Sequence, residues 1–309
     1  MNKFCLILVL LFFSCCSDDD NKELDKVVNI TIGNESFVVN DQIQISSNEN
    51  CDNVFVSARY NTPKNADFGF RIEFRLTKKG TLTNITLYNA RESGKEYQTA
   101  NFNTDATMVI RNFEYNPTTK YLAFEFEGNL FEEDGNLFTL DVPQPQKFIK
   151  GNVKIKNVLE RACTSAFYKI NFETSNLKFY TTASLGTKNL NLPINQHKTD
   201  FFSSNGFRIT INSDTDLWDL PLGQTNFNSS TIENYFGFEK YIGNLRATDL
   251  SPIRPQDWQV FSTSGNYIIQ EHVMEYGQRV TRGVFNLNVF ENGNLKYTID
   301  NKNFQLTSF

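Results

Sequence analysis

Phe290-Glu291-Asn292-Gly293-Asn294 and, earlier in the chain, Phe131-Glu132-Glu133-Asp134-Gly135-Asn136 decide how this sequence is to be read. Each sets an Asn-Gly or Asp-Gly pair between two apolar runs. Such pairs accept the positive φ angles of a type I′ turn, whose twist matches that of paired strands. Both stretches therefore predict β-hairpins. A closing strand follows each one, Phe148 to Ile155 in the first case and Thr298 to Leu306 in the second.

Outward from these hairpins the chain reads as short alternating segments. Val27 to Ile32, a Gly33-Asn34 turn and Phe37 to Val39 come first. Val54 to Arg59, Phe70 to Leu76, Asn84 to Tyr88, Met108 to Phe113 and Tyr121 to Phe126 follow. These runs are rich in Val, Ile, Phe and Thr and are bounded by Gly, Asn, Pro or Asp, as strands are. Long helical periodicity is missing, and short helices are expected only at Val158 to Cys163 and Thr231 to Phe236.

Landmarks recur in the same order. GFRI stands at Gly69 to Ile72 and again at Gly206 to Ile209, and QTANFN at Gln98 is echoed by QTNFN at Gln224. With the two hairpins and closing strands, this order predicts duplication. The expected fold is all-β, with two antiparallel β-sandwich-like domains at residues 27–158 and 159–309. The second carries extra sequence, read as an insertion at 228–264. A membrane barrel would need many strands of about ten residues, and Pro143-Gln144-Pro145 and Pro252-Ile253-Arg254-Pro255 interrupt that pattern.

The start of the chain concerns placement. Lys3 precedes an apolar run, Phe4 to Phe13, about 15 Å long as a helix and so half of a ~30 Å hydrocarbon core. That suits a cleaved signal better than a membrane span. Ser14, Cys15, Cys16 and Ser17 follow, then Asp18, Asp19 and Asp20. The junction resembles the lipobox of bacterial lipoproteins, in which the signal is removed and the new N-terminal cysteine is acylated. Residues 1–14 would be the signal peptide and 15–26 an acidic tether. Cys15 is the better acceptor because small Ser14 precedes it; Cys16 is the alternative. The tract Ser17 to Asp20 resembles the surface-export signal of Bacteroidota lipoproteins. That resemblance implies an outer-membrane, cell-surface location, with the membrane engaged through the N-terminal lipid. The β pattern also resembles small uncharacterised β-domain lipoproteins of that group, which implies architecture and no active site.

The 309 residues include 29 phenylalanines and 12 tyrosines, ample for a core, and carry a net charge of −5. No dense Lys/Arg patch is present, so a nucleic-acid partner is not expected. Of five cysteines only Cys51 and Cys163 fall in the folded part. An exported chain permits a disulfide between them; the other reading is two thiols packed locally.

Chemistry-bearing constellations are sparse. His197 and His272 are the two histidines, with no HExxH pair, GxSxG elbow or glycine-rich phosphate loop. No cofactor or metal is expected. The closest approach to a metal loop is Asn212-Ser213-Asp214-Thr215-Asp216-Leu217-Trp218-Asp219, where Leu217 replaces the glycine of a calcium loop and Gly223 its final glutamate. An Asp-rich turn explains it more simply. Tyr235, Tyr241, Arg254 and Trp258 in the 228–264 stretch, with Trp218 upstream, are residue types enriched at binding hot spots. They form either an exposed ligand platform or a plug holding the stretch to its own sheet. The expected function is a non-catalytic surface lipoprotein presenting its β domains to a protein or glycan. The alternatives are an extracellular hydrolase of polysaccharide or peptide and an accessory subunit of an outer-membrane assembly.

Overall fold

A computed structural model describes residues 25–40, 43–61, 68–133, 143–164, 168–189, 196–247 and 254–308. Cys15, Cys16, Ser17, Asp18, Asp19 and Asp20 lie outside the described residues, as do the first hairpin's Asp134-Gly135-Asn136 and part of the 228–264 stretch.

The described chain is all-β, its strands joined by turns and short 3-10 pieces. The first sheet holds β1 (Lys26–Ile32), β2 (Glu35–Val39), β3 (Ile45–Asn50), β4 (Asn53–Asn61), β5 (Phe68–Thr77) and β6 (Leu82–Asn89). It continues with β7 (Lys95–Gln98), β8 (Met108–Asn116), β9 (Tyr121–Glu132), β10 (Gln146–Ile155) and β11 (Leu159–Glu160). Their order is β11-β3-β4-β5-β6-β7-β9-β10-β1-β2, with β8 paired to β9. The ends curl toward one another: β2 lies against β4, and Lys26 Nζ donates to Ile45 O across 3.3 Å. Alternation explains the curl. Val54, Val56 and Ala58 on β4 and Ile72, Phe74 and Leu76 on β5 all turn inward onto one core.

The second sheet holds β12 (Lys169–Glu173), β13 (Lys178–Asn189), β14 (Gln196–Ser203), β15 (Phe207–Ser213), β16 (Gly223–Phe227) and β17 (Tyr235–Tyr241). It ends with β18 (Trp258–Glu275), β19 (Gln278–Glu291) and β20 (Asn294–Ser308). Eight of these close a ring, β12-β13-β14-β15-β17-β18-β19-β20 and back to β12, while β16 pairs with β18 outside it. An eight-stranded barrel is just wide enough for side chains to fill. Phe179, Phe236, Phe285 and Phe304 fill this one, with the Phe236 and Phe285 rings 4.9 Å apart. Glu291 pairs with Asn294, and Asn292 and Gly293 take φ of 51° and 79°, the type I′ turn predicted from Asn-Gly.

Two expectations change here. The second half is a closed barrel and not a pair of facing layers. Alternation buries one face of a sheet either way, so it cannot tell a sandwich from a barrel. Neither expected helix forms: Leu159–Glu160 is β11, and Tyr235–Tyr241 is a ladder strand of the barrel.

Cross-strand pairs recur at matching places in the two sheets. Gln98 opposes Phe131, and Ser262 opposes Phe290. Gly128 opposes Ile149, and Leu287 opposes Ile299. Ile30 opposes Phe37, and Phe172 opposes Phe179. Ile72 sits between Ala58 and Leu87, as Ile209 sits between Phe201 and Phe238. Strand β13 pairs with β12 through its first three residues and with β14 through the rest. One sequence landmark drops out. Gln98 ends β7, whereas Gln224 lies on β16, the strand outside the ring. The described part of 228–264 holds β17 and the start of β18, both members of the closed ring.

Candidate functional site

The two halves meet across two surfaces. One is dry. Between β7 and β8 the chain leaves the first sheet, and Phe102, in the left-handed region at φ 63°, inserts among three rings of the second. Its centroid lies 5.0 Å from Phe202, 5.4 Å from Tyr241 and 5.2 Å from Trp258. The Arg208 guanidinium lies 4.2 Å from the Trp258 ring centre and is held by the Glu239 carboxylate. Backbone bonds flank the knot: Asn101 N–H donates to Arg246 O and Asp105 N–H to Ser204 O, each across 2.9 Å. The Gln144 side chain makes a two-way amide pair with Ala247.

The other surface is wet. Beside the knot the halves part around a cleft of about 760 Å³, within the usual range of ligand pockets. One wall is the outer face of the first sheet. Asn48, Phe55, Arg75 and Asn84 stand in a single cross-strand row over β3, β4, β5 and β6. At ~4.8 Å per strand the row is roughly 14 Å long. The Arg75 guanidinium lies 5.8 Å from the Phe55 ring centre, and Asn84 Oδ1 accepts from Thr99 Oγ1 at 2.7 Å. The facing wall is β12 and the first part of β13, including Asn171, Thr182 and Ser184. Asn171 Oδ1 accepts from Thr181 N–H at 2.9 Å, which fixes that amide's direction. Arg161, in the segment joining the halves, completes the rim.

Two clamps hold the rim. Cys51, in the turn between β3 and β4, is disulfide-bonded to Cys163, with Cα atoms 4.8 Å apart and a sequence separation of 112. Lys169 of β12 pairs with Asp52 of the same turn.

The aromatic and arginine residues singled out from sequence do not gather into a platform. Trp258 and Tyr241 are each 5% exposed, spent on the knot. Tyr235 packs against the barrel core. Arg254 grips the buried Asp257 through two bonds, Nε to Oδ2 at 2.8 Å and Nη2 to Oδ1 at 2.9 Å. Trp218 lies at the far end of the barrel, its ring 5.1 Å from His272. In the calcium-like stretch Asp216 Oδ1 instead caps Trp218 N–H at 2.9 Å and accepts from Ser308 Oγ at 2.6 Å. Among the described residues no cluster of His, Cys, Asp or Glu could hold a metal. The cleft residues went unnoticed in sequence because single Asn, Thr and Arg residues on outward strand positions look like ordinary solvated ones. Only pairing register aligns them.

One buried charge lies directly behind the cleft wall. Glu49, next to Asn48 on β3 and turned inward, is 2% exposed. Burial alone would raise its pKa, but hydrogen bonds from Lys120, Lys78 and Tyr115 outweigh that and hold the carboxyl at about 2. It is a structural anion with no opening to the cleft.

No protein-family model, curated protein or solved structure matches the chain. No helix of the described residues is long and apolar enough to cross a membrane.

Proposed function

We propose that the chain is an exported, lipid-anchored and non-catalytic surface module that holds an oligosaccharide in the cleft between its two halves. The observation that carries this reading is the lining. It is dominated by Asn, Gln, Thr and Ser side chains from both halves, with Phe55 as a flat apolar face. Amides and hydroxyls match the dense donors and acceptors of a sugar, and an aromatic ring matches its apolar face. Among the described lining residues Asp52 is the one carboxylate, and Lys169 holds it. Glycoside hydrolysis runs on two carboxyl groups flanking the bond, which favours binding over cleavage here.

Anchoring rests on the N-terminal pattern: Phe4 to Phe13, then Ser14 and Cys15, then Ser17 to Asp20. In this reading Cys15 carries the acyl chains, with Cys16 as alternative, and the acidic tract sends the protein to the outer face of the outer membrane. More than one chain is needed for a firm hold. The two halves descend from one ancestral unit; the matching cross-strand pairs, and GFRI within β5 and leading into β15, support this.

The test uses the chain from Asn21 onward, which keeps every described residue, on an array of extracellular glycans. Binding to a defined oligosaccharide that falls at least tenfold in Phe55→Ala and Asn84→Ala is expected. Absence of saccharide binding, or binding indifferent to both changes, overturns the reading. For anchoring, Cys15→Ala should abolish fatty-acid labelling; labelling that persists moves the anchor to Cys16.

A further inference from the structure

Resting on that cleft reading, we infer that the ligand is an acidic saccharide, a sugar chain bearing carboxylate or sulfate groups. The argument is local charge. The chain as a whole is anionic, at −5, yet the cleft carries Arg75, Arg161 and Lys169 against the single carboxylate of Asp52. Lys169 and Asp52 neutralise each other at the rim. Two guanidiniums remain, both exposed, and neither pairs with a carboxylate among the described residues. Like charges facing one cleft repel each other, and nothing in the packing of the halves needs them: the knot and the clamps do that work elsewhere.

Their chemistry is specific. A guanidinium presents a planar fork of donors that matches the two oxygens of a carboxylate or sulfate. Arg75 is steadied over the Phe55 ring, and in the row it stands between Phe55 and Asn84, with Asn48 beyond Phe55. A sugar ring resting on Phe55 would put its ring substituents within reach of Arg75, while hydroxyls of neighbouring units meet Asn48, Asn84 and, across the cleft, Asn171. Arg161 lies on the connecting segment, which pairs in parallel with β3 at Asn48, and supplies a second anionic subsite at that end.

The experiment is calorimetric titration of the chain from Asn21 onward with three probes of equal length: an oligogalacturonate, a sulfated oligosaccharide and a neutral β-glucan fragment. The acidic probes are expected to bind and the neutral one to bind at least tenfold more weakly. Affinity for the acidic probe should fall steeply with added salt, because these cations are exposed and screened. Arg75→Ala and Arg161→Ala should each weaken it about tenfold, with Arg75→Lys restoring part of the loss and the melting temperature unchanged. The carboxylate and sulfate arms decide which anion is preferred, and preference for either supports the inference. A neutral probe that binds equally well, or acidic binding insensitive to salt and to both arginine changes, overturns the charge inference and leaves saccharide binding standing. Failure of all three probes overturns both.

Discussion

The dry knot and the wet cleft lie side by side between the same two halves, and they divide the labour of an interface between them. The knot concentrates the large rings, with Tyr241 and Trp258 buried and Phe102 and Phe202 packed on them and reaching the cleft's edge. The cleft keeps its backbone apart and offers amides, hydroxyls and charge. Aromatic residues confer affinity wherever they are desolvated, and a chain that must fix the angle between two β units spends its best rings on itself. In the proposed reading a ligand meets a mostly polar lining, and its Asn48–Asn84 row stands on strand positions whose geometry the sheet already fixes. In the proposed reading, rigidity comes from one surface and recognition from the other.

Breaking the clamps should give the largest effect. Replacing Cys51 and Cys163 by serine releases a 112-residue cross-link, which on the loop-entropy model costs up to about 4–5 kcal/mol. The expected outcome is a large drop in guanidinium midpoint, reproduced in the native chain by adding reductant. A midpoint that ignores reductant would mean the bridge is dispensable.

Trp258→Ala attacks the knot directly. Removing a fully packed indole leaves a cavity and strips the Arg208 guanidinium of its ring, at a cost of about 3–4 kcal/mol. Denaturant melts should show it, and Tyr241→Phe should cost less, about 1 kcal/mol, because only the hydroxyl bond to Asn244 O at 2.7 Å is lost. If both changes left stability untouched while abolishing ligand binding, the knot would be a recognition surface after all and the division drawn above would fail.

The contrast also explains what was legible in the sequence. Strand positions, the Asn292-Gly293 turn and the all-β class follow from alternation and turn chemistry, which are local. Barrel closure was not legible, since it depends on β18 meeting β19 and β12 meeting β20 across the whole second half. Trp258 and Tyr241 stood out because large aromatics always do; whether a ring faces solvent or another domain depends on Phe102, more than a hundred residues earlier. Conversely Asn48, Phe55, Arg75 and Asn84 are scattered through 37 positions and only register aligns them.

Strand β3 holds the same contrast between neighbours, Glu49 inward and Asn48 outward. The Glu49 carboxyl titrates at about 2 instead of 4.5, so its ionised form favours the folded state. That contribution is complete above about pH 4.5 and is lost as pH falls through about 2. Glu49→Gln should destabilise the chain by about 2 kcal/mol at neutral pH and should flatten stability against pH between those limits. A Gln variant that retained the full acid dependence would place its origin elsewhere.

The smallest expected effect on stability is the most telling about the cleft. Arg75 is exposed and adds only its contact with Phe55, so Arg75→Ala should shift unfolding free energy by less than about 1 kcal/mol. Its consequence belongs in binding: a loss of acidic-ligand affinity that shrinks as salt is raised, since screening already weakens the wild-type contact. Trp258→Ala should do the reverse, lowering stability at every salt concentration while leaving the slope of affinity against salt as it was. Crossing the two changes sharpens this further. Arg75 stands on the first sheet and Trp258 in the knot with no shared partner among the described residues, so their stability effects should add within about 0.5 kcal/mol. A clear departure from additivity would show that the cleft wall and the knot are mechanically coupled, and that ligand binding feeds back on the angle between the halves.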